Sequence, residues 1–151
     1  MGKVILVTSA GGHLTNLLAL RDAWEGWEET WVCRDALDAR TRLEVDKVEW
    51  LEKDADRNHL WNYLGGFVRA WKGVKREKPD RLITMGAGPC LPWVIAARIQ
   101  GVPCLYIELF GRVEKPTVSA KISRWFGAKA FVQHRTLLPQ LKGSTYEGTL
   151  W

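Results

Sequence analysis

Apolar positions in this chain fall into two kinds of segment that take turns along its length. Val4-Ile5-Leu6-Val7 is unbroken and apolar, the mark of a strand covered on both faces. It stops at Ser9-Ala10-Gly11-Gly12, after which Leu14, Leu17, Leu18 and Trp24 recur at helical spacing and predict a first helix from Gly12 to Trp24. Thr30 to Cys33 reads as a second strand, the charged stretch from Arg34 to Asp46 as loop plus a short helix, and Val48 to Leu51 as a third strand. Leu60, Tyr63, Leu64, Phe67, Val68 and Trp71 then form one apolar stripe on a helix that Pro79 must end. Arg81 to Met85 predicts a fourth strand, Leu91 to Gln100 a helix closed by Gly101, and Val102 to Ile107 a fifth strand. Thr117 to Phe126 reads as helix and Ala130 to Val132 as a last strand.

Strands alternating with helices imply an α/β fold, a parallel sheet with helices on both faces. No repeat, linker or low-complexity tract interrupts the order, so one domain over residues 1–151 is expected. In such sheets ligands gather at the carboxyl ends of the strands. That singles out three loops: Ser9 to His13, Gly86 to Pro89, and Glu108 to Lys115.

Composition narrows the picture. A hydrophobic fraction of 46% with 26% charged residues is that of a globular protein and excludes disorder. The net charge of +5 suggests an anionic neighbour: nucleic acid, an acidic membrane or a phosphorylated substrate. Three isolated cysteines form no metal or disulfide pattern, so no metal site is expected. No signal peptide precedes the first strand and no run approaches the roughly 20 apolar residues of a spanning helix. A cytoplasmic protein with at most peripheral membrane contact is the expectation. Nine tryptophans point further toward a partner or a bilayer surface. They are not interleaved with a basic patch as a nucleic-acid stacking platform requires.

Gly11-Gly12-His13 links the first strand to the first helix. Glycines there admit a ligand close to the backbone, and the positive helix end keeps a histidine neutral and able to take a proton. The pattern is neither a dinucleotide fingerprint nor a P-loop. Gly86-Ala87-Gly88-Pro89 is a second glycine turn on the same sheet edge. Glu108, with Phe110, Arg112 and Lys115 behind it, offers a carboxylate for hydroxyls and cations for phosphate. Ordinary turns and solvated loops explain the first and third features at least equally well, and for Gly86 to Pro89 taken alone plain turn chemistry is the better explanation. The Leu60 to Lys78 helix carries Trp61, Phe67, Arg69, Trp71 and Lys72. A core helix with a wet face accounts for it, and attachment to anionic lipid is the second reading.

Taken together the motifs carry a resemblance. Val4 to Thr15, with its Gly11-Gly12-His13 turn, resembles the opening of the PssD-like subunits of bacterial exopolysaccharide and capsule glycosyltransferases and of the related Alg-fourteen family. Ile83 to Pro89 and Tyr106 to Val113 look like that family's second and third motifs, and Tyr146 to Trp151 like its usual ending. The resemblance implies a Rossmann-like domain, the N-terminal half of a GT-B fold split between two chains, related to MurG-type enzymes. It implies a chain inactive by itself, a peripheral subunit on the cytoplasmic face that holds a polyprenyl-diphosphate-linked acceptor and recruits a soluble donor-binding partner. The UDP-sugar would sit on that partner, and this chain would bind no cofactor. Carried onto this sequence, His13 is the candidate base. Gly11, Gly12, Asn16, Gly86, Gly88, Glu108, Phe110 and Arg112 would border the acceptor. Asn16 stands where the family commonly has glutamate. Membrane attachment would fall to the Leu60 to Lys78 helix, to the surface around Lys115 and Lys121, or to the partner. A stand-alone nucleotide-binding or regulatory module is the alternative that these residues leave open.

Overall fold

The computed structural model describes residues 2–51 and 60–150, the side chains of residues 60–63 excepted. Among the described residues six strands and five helices alternate: β1 (Lys3–Thr8), α1 (Gly12–Leu18), β2 (Glu28–Arg34), α2 (Leu37–Arg42), β3 (Val48–Leu51), α3 (Leu60–Glu77), β4 (Arg81–Thr84), α4 (Cys90–Ile99), β5 (Cys104–Ile107), α5 (Val118–Trp125) and β6 (Lys129–Phe131). The strands form one sheet in the order β3-β2-β1-β4-β5-β6, and every neighbouring pair is parallel. The order reverses between β1 and β4, so the crevice of a doubly wound sheet opens at their carboxyl ends.

The two-residue period of the strands divides the core. Ile5, Val7, Val32, Leu82, Cys104, Tyr106 and Ala130 point to one face, where α3, α4 and α5 cover them. Val4, Leu6, Trp31, Cys33 and Ile83 point to the other, against Leu14 and Leu17 of α1 and Ala39 of α2. Gly73 sets the spacing of the first layer. A Cβ there would stand 2.5 Å from the Trp93 ring, so only glycine lets α3 lie this close to α4. Gly66 faces Pro92 in the same seam, whereas Gly65 faces open space.

The elements expected from the pattern are all present, with one changed. The first helix ends at Leu18, and Arg21–Trp24 forms a separate 3₁₀ turn. The tighter winding brings two side chains onto Glu29 of β2: Arg21 Nε donates to Oε1 at 3.1 Å and Trp24 Nε1 to the same oxygen at 3.0 Å. Trp31 Nε1 takes the other oxygen at 2.9 Å. One half-buried carboxylate thus satisfies two indoles that the core could not otherwise accept.

Candidate functional site

The first glycine loop is fixed by the segment after β2. Gly11 adopts φ +75° and donates its N–H to Asp38 Oδ2 at 2.9 Å. Thr15 N–H returns to Gly11 O at 3.0 Å, starting α1, and Arg42 Nη1 donates to Thr15 Oγ1 at 2.8 Å. Asp38 and Arg42 of α2 therefore clamp the turn from outside. The Gly11 amide is spent on Asp38, which leaves close backbone approach at exposed Gly12 as the turn's contribution.

The second loop turns through two left-handed residues, Gly86 at φ +91° and Ala87 at φ +77°. The Gly86 N–H donates to Thr84 Oγ1 at 3.1 Å, and Cys90 N–H to Ala87 O at 3.1 Å. A non-glycine residue held at positive φ stores strain of about 1 kcal/mol. Gly88 is exposed at the tip. Cys90 behind it is buried, and burial pushes its thiol up to about 12, as it does for Cys33 and Cys104. None of the three is a nucleophile at neutral pH.

The third loop leaves β5 at Glu108, which is fully buried. Its Oε2 accepts the Thr117 N–H at 2.8 Å and the Thr117 hydroxyl at 3.0 Å, and Oε1 accepts the Leu109 N–H at 3.1 Å. Thr117 in turn caps α5 by accepting the Ala120 N–H at 3.1 Å. The buried Tyr106 hydroxyl lies 2.8 Å from Thr117 Oγ1 and 2.9 Å from Ser119 Oγ. Burial raises its pKa, so it stays a neutral phenol. Gln133 Nε2 donates to Glu108 O at 2.9 Å while its Oε1 receives the Leu150 N–H at 3.0 Å. His134 contacts Phe110 twice, through the Phe110 carbonyl and with its ring centroid 5.1 Å away. Glu108 closes the base of the loop, and Phe110 is pinned at its start.

His13 is half-buried at the head of α1. Its pKa is lowered, first by burial, then by the Arg112 charge and then by Arg34. An imidazole already near neutrality is held in its neutral, proton-accepting form at pH 7. Charges at the end of β2 and on the loop after β5 thus reach the loop after β1 through space. His13 and Arg112 stand in loops that the sequence marks, and Arg34 does not. Its position at the end of a strand, judged by the same rule that selected the loops, is the signal that finds it. Asn16 follows on α1, partly buried.

Two sets of expected site residues are placed differently from the sequence picture. The Glu108 oxygens engage the chain's own Leu109 and Thr117, because a buried carboxylate needs donors close by. On α3, Phe67 and Trp71 are half-buried against the core, their ring centroids 5.9 Å apart. Arg69 lies 3.8 Å from Glu49 and Lys72 is exposed. Trp61 is on the first turn of α3, its side chain outside the described residues. Leu64 and Val68, members of the same stripe, are exposed. No helix among the described residues is long and apolar enough to cross a membrane, and no group of His, Cys, Asp or Glu among them could hold a metal ion.

A hollow of 610 Å³ lies at the opposite, amino edge of the sheet between Arg21, Glu25, Glu28, Glu44 and Lys47. Its lining is mostly acidic, and no strand delivers its carboxyl end there.

No family model matches the chain. It is 24% identical, over 98% of its length and 82% of the relative's, to the UDP-N-acetylglucosamine transferase subunit ALG14 of Mus musculus. Among solved structures, MurG of Acinetobacter baumannii superposes with a TM-score of 0.77 at 16% identity. The UDP-GlcNAc 2-epimerases of Rickettsia bellii and Methanocaldococcus jannaschii superpose at 0.73 and 0.72, with 15% and 13% identity. The fold is the N-terminal half of a GT-B protein. The chain covers 97% of itself but 45% of the MurG chain, so it spans about half the length of these structures. By sequence its likeness is to a glycosyltransferase subunit.

Proposed function

We propose that this chain is the acceptor-side subunit of a two-chain, UDP-sugar-dependent glycosyltransferase acting on a polyprenyl-diphosphate-linked acceptor in exopolysaccharide, capsule or related glycan synthesis. The observation that carries this reading is His13, neutral and half-buried at the switch point of the sheet with Arg34 and Arg112 acting on it. A neutral base with two cations beside it suits an acceptor that presents a hydroxyl next to a diphosphate. The carrier's phosphates lie against Arg34 and Arg112, and the sugar hydroxyl faces His13. As that oxygen attacks the anomeric carbon of the donor, His13 accepts its proton and the bond to the departing UDP breaks.

The donor site belongs to a soluble partner chain, which supplies the second half of the GT-B fold and which this chain recruits to the cytoplasmic face of the membrane. The identity to a transferase subunit and the half-length coverage of MurG both support this division. The exposed basic and apolar surface supports peripheral membrane contact. The test is capture of the tagged chain from its own host, followed by assay of the captured material for transfer from UDP-sugars to endogenous lipid carrier. Transfer that needs both this chain and a co-captured second chain is expected. A chain recovered alone that binds nucleotide would replace this reading with that of a stand-alone nucleotide-binding module.

A further inference from the structure

A cation with no anchor of its own acts on the cleft. Arg112 lies in an exposed run, residues 111–115, that is neither helix nor strand. Among the described residues its guanidinium has no hydrogen bond or ion pair within the chain. Its charge nevertheless reaches His13. An exposed loop left to itself wanders, so what places Arg112 is whatever holds its backbone.

The chain after β6 supplies that hold. Gln133 Nε2 donates to the Glu108 carbonyl at 2.9 Å, and the His134 ring donates through Nε2 to the Phe110 carbonyl. Thr136 Oγ1 donates to the Val113 carbonyl and Gln140 Nε2 to the Glu114 carbonyl. Between them the Arg112 N–H closes a turn on the Leu109 carbonyl at 3.0 Å. Side chains of residues 133–140 thus grip main-chain oxygens on both sides of Arg112. The path of the loop is fixed while the Arg112 and Lys115 side chains take no part. The grip is firmest at its inner end. Gln133 is 3% exposed and its Oε1 receives the Leu150 N–H at 3.0 Å, while His134 is half-buried with its ring against Phe110. Thr136 and Gln140 are exposed. Water would satisfy the Val113 and Glu114 carbonyls there equally well, so those bonds hold the loop and are not needed to bury it.

We infer that His134 and Thr136, seconded by Gln133 and Gln140, are positioning residues of the cleft, holding the loop after β5 by its carbonyls so that Phe110 and Arg112 stand ready for the acceptor. This deepens the proposed function, on which it rests, by adding residues that touch no substrate and act through the loop they hold. A carbonyl only accepts, so His134 Nε2 carries the ring proton in this role. An arginine whose backbone is already ordered gives up less freedom when an anion arrives, and transfer chemistry is sensitive to placement at the ångström level.

The experiment pairs variants that lose the donor with variants that keep it. His134→Phe keeps a ring against Phe110 without the N–H, whereas the amide of His134→Gln reaches the same carbonyl. Thr136→Val and Thr136→Ser form the second pair. Each full chain is read by pyrophosphate calorimetry and by NMR titration of the His13 ring. His134→Phe and Thr136→Val should weaken pyrophosphate binding by about threefold to fivefold. They should also move the His13 midpoint in the direction that Arg112→Ala moves it, by a smaller amount. His134→Gln and Thr136→Ser should stay within about twofold of wild type in affinity. Val94→Ala, a core change beside Cys104 at the far end of β5, lowers the melting temperature and should alter neither readout. In the reconstituted chain pair the loss should fall on KM for the lipid acceptor, with kcat held within about twofold. Wild-type affinity and His13 midpoint in both donor-less variants would overturn the assignment. So would equal losses in the donor-keeping variants, or the same changes in Val94→Ala, since lowered stability alone would then account for them. Binding readouts that follow the donors while no chain pair transfers sugar would leave the positioning role standing and remove the glycosyltransferase reading. Transfer by the pair with both readouts unmoved would do the reverse.

Discussion

The Tyr106 hydroxyl occupies the place where a side chain on residue 86 would stand: a Cβ built on Gly86 overlaps that oxygen and lies 3.1 Å from the ring carbon that bears it. Because the same hydroxyl holds Thr117 and Ser119, the second and third loops of the cleft are locked to one another. Gly86→Ala should therefore destabilise the protein by about 3 kcal/mol, from both the overlap and the φ of +91°. Tyr106→Phe alone should cost about 1 kcal/mol for the lost hydrogen bonds. The double variant should be less destabilised than the sum by about 1 kcal/mol, read from a double-mutant cycle of denaturant melts. Strict additivity would show that the two positions are not in contact.

Thr117 serves two ends at once, donating to Glu108 and accepting from Ala120. Thr117→Ser keeps both bonds and should change stability by less than about 0.5 kcal/mol. Thr117→Val removes both and leaves a buried carboxylate short of a donor, at a cost of about 2–3 kcal/mol. Faster hydrogen exchange over residues 109–116 should accompany it, because that loop has lost its clasp. Equal melts for the two variants would contradict the role given to Glu108.

His13 should titrate below the ordinary histidine value of 6.5 in the folded chain, from burial first and then from Arg112 and Arg34. Because a depressed histidine pKa means the folded state resists protonation, its contribution to stability is whole above pH 6.5 and is lost as pH falls below that value. Arg112→Ala or Arg34→Ala removes a repelling cation and should move the titration upward, toward but not past the unburied value. Titration of the histidine ring protons by NMR, assigned with His13→Ala, measures this. A midpoint that does not move in either arginine variant would place these cations away from the imidazole.

Arg34 was not marked by any motif, so it gives an independent check of the cleft. Pyrophosphate serves as the probe of the carrier's diphosphate. Arg34→Ala and Arg112→Ala should each weaken its binding by about tenfold in calorimetry at low salt, with the loss shrinking as salt rises. Binding unchanged by Arg34→Ala would remove that residue from the site.

The order of elements was legible because apolar runs and helical stripes repeat locally. β3 at Val48–Leu51 falls where the pattern put it, and α3 ends at Glu77 just before Lys78, whose φ of +48° breaks the helix ahead of Pro79. The first helix ran too far in the sequence reading because Trp24 fits helical spacing, while its indole is held by Glu29 of the next strand. The α3 stripe was visible, but which way it faces depends on Gly73 and Trp93 meeting across the layer. The cleft was half legible. Gly11-Gly12-His13 and Arg112 stand in strand-end loops that the fold class already marks, whereas Glu108 binding Thr117 and Tyr106 filling the space at Gly86 are contacts across loops that no local spacing announces.

The most direct test of the account is sugar transfer by the reconstituted chain pair, measured with wild type and with His13→Ala at equal partner occupancy. The account predicts no transfer by either chain alone, transfer by the pair, and a loss of about 10²-fold or more in kcat for His13→Ala with partner association and melting temperature preserved. Transfer by the pair that is unchanged in His13→Ala, or a loss that only tracks dissociation of the partner, would contradict it.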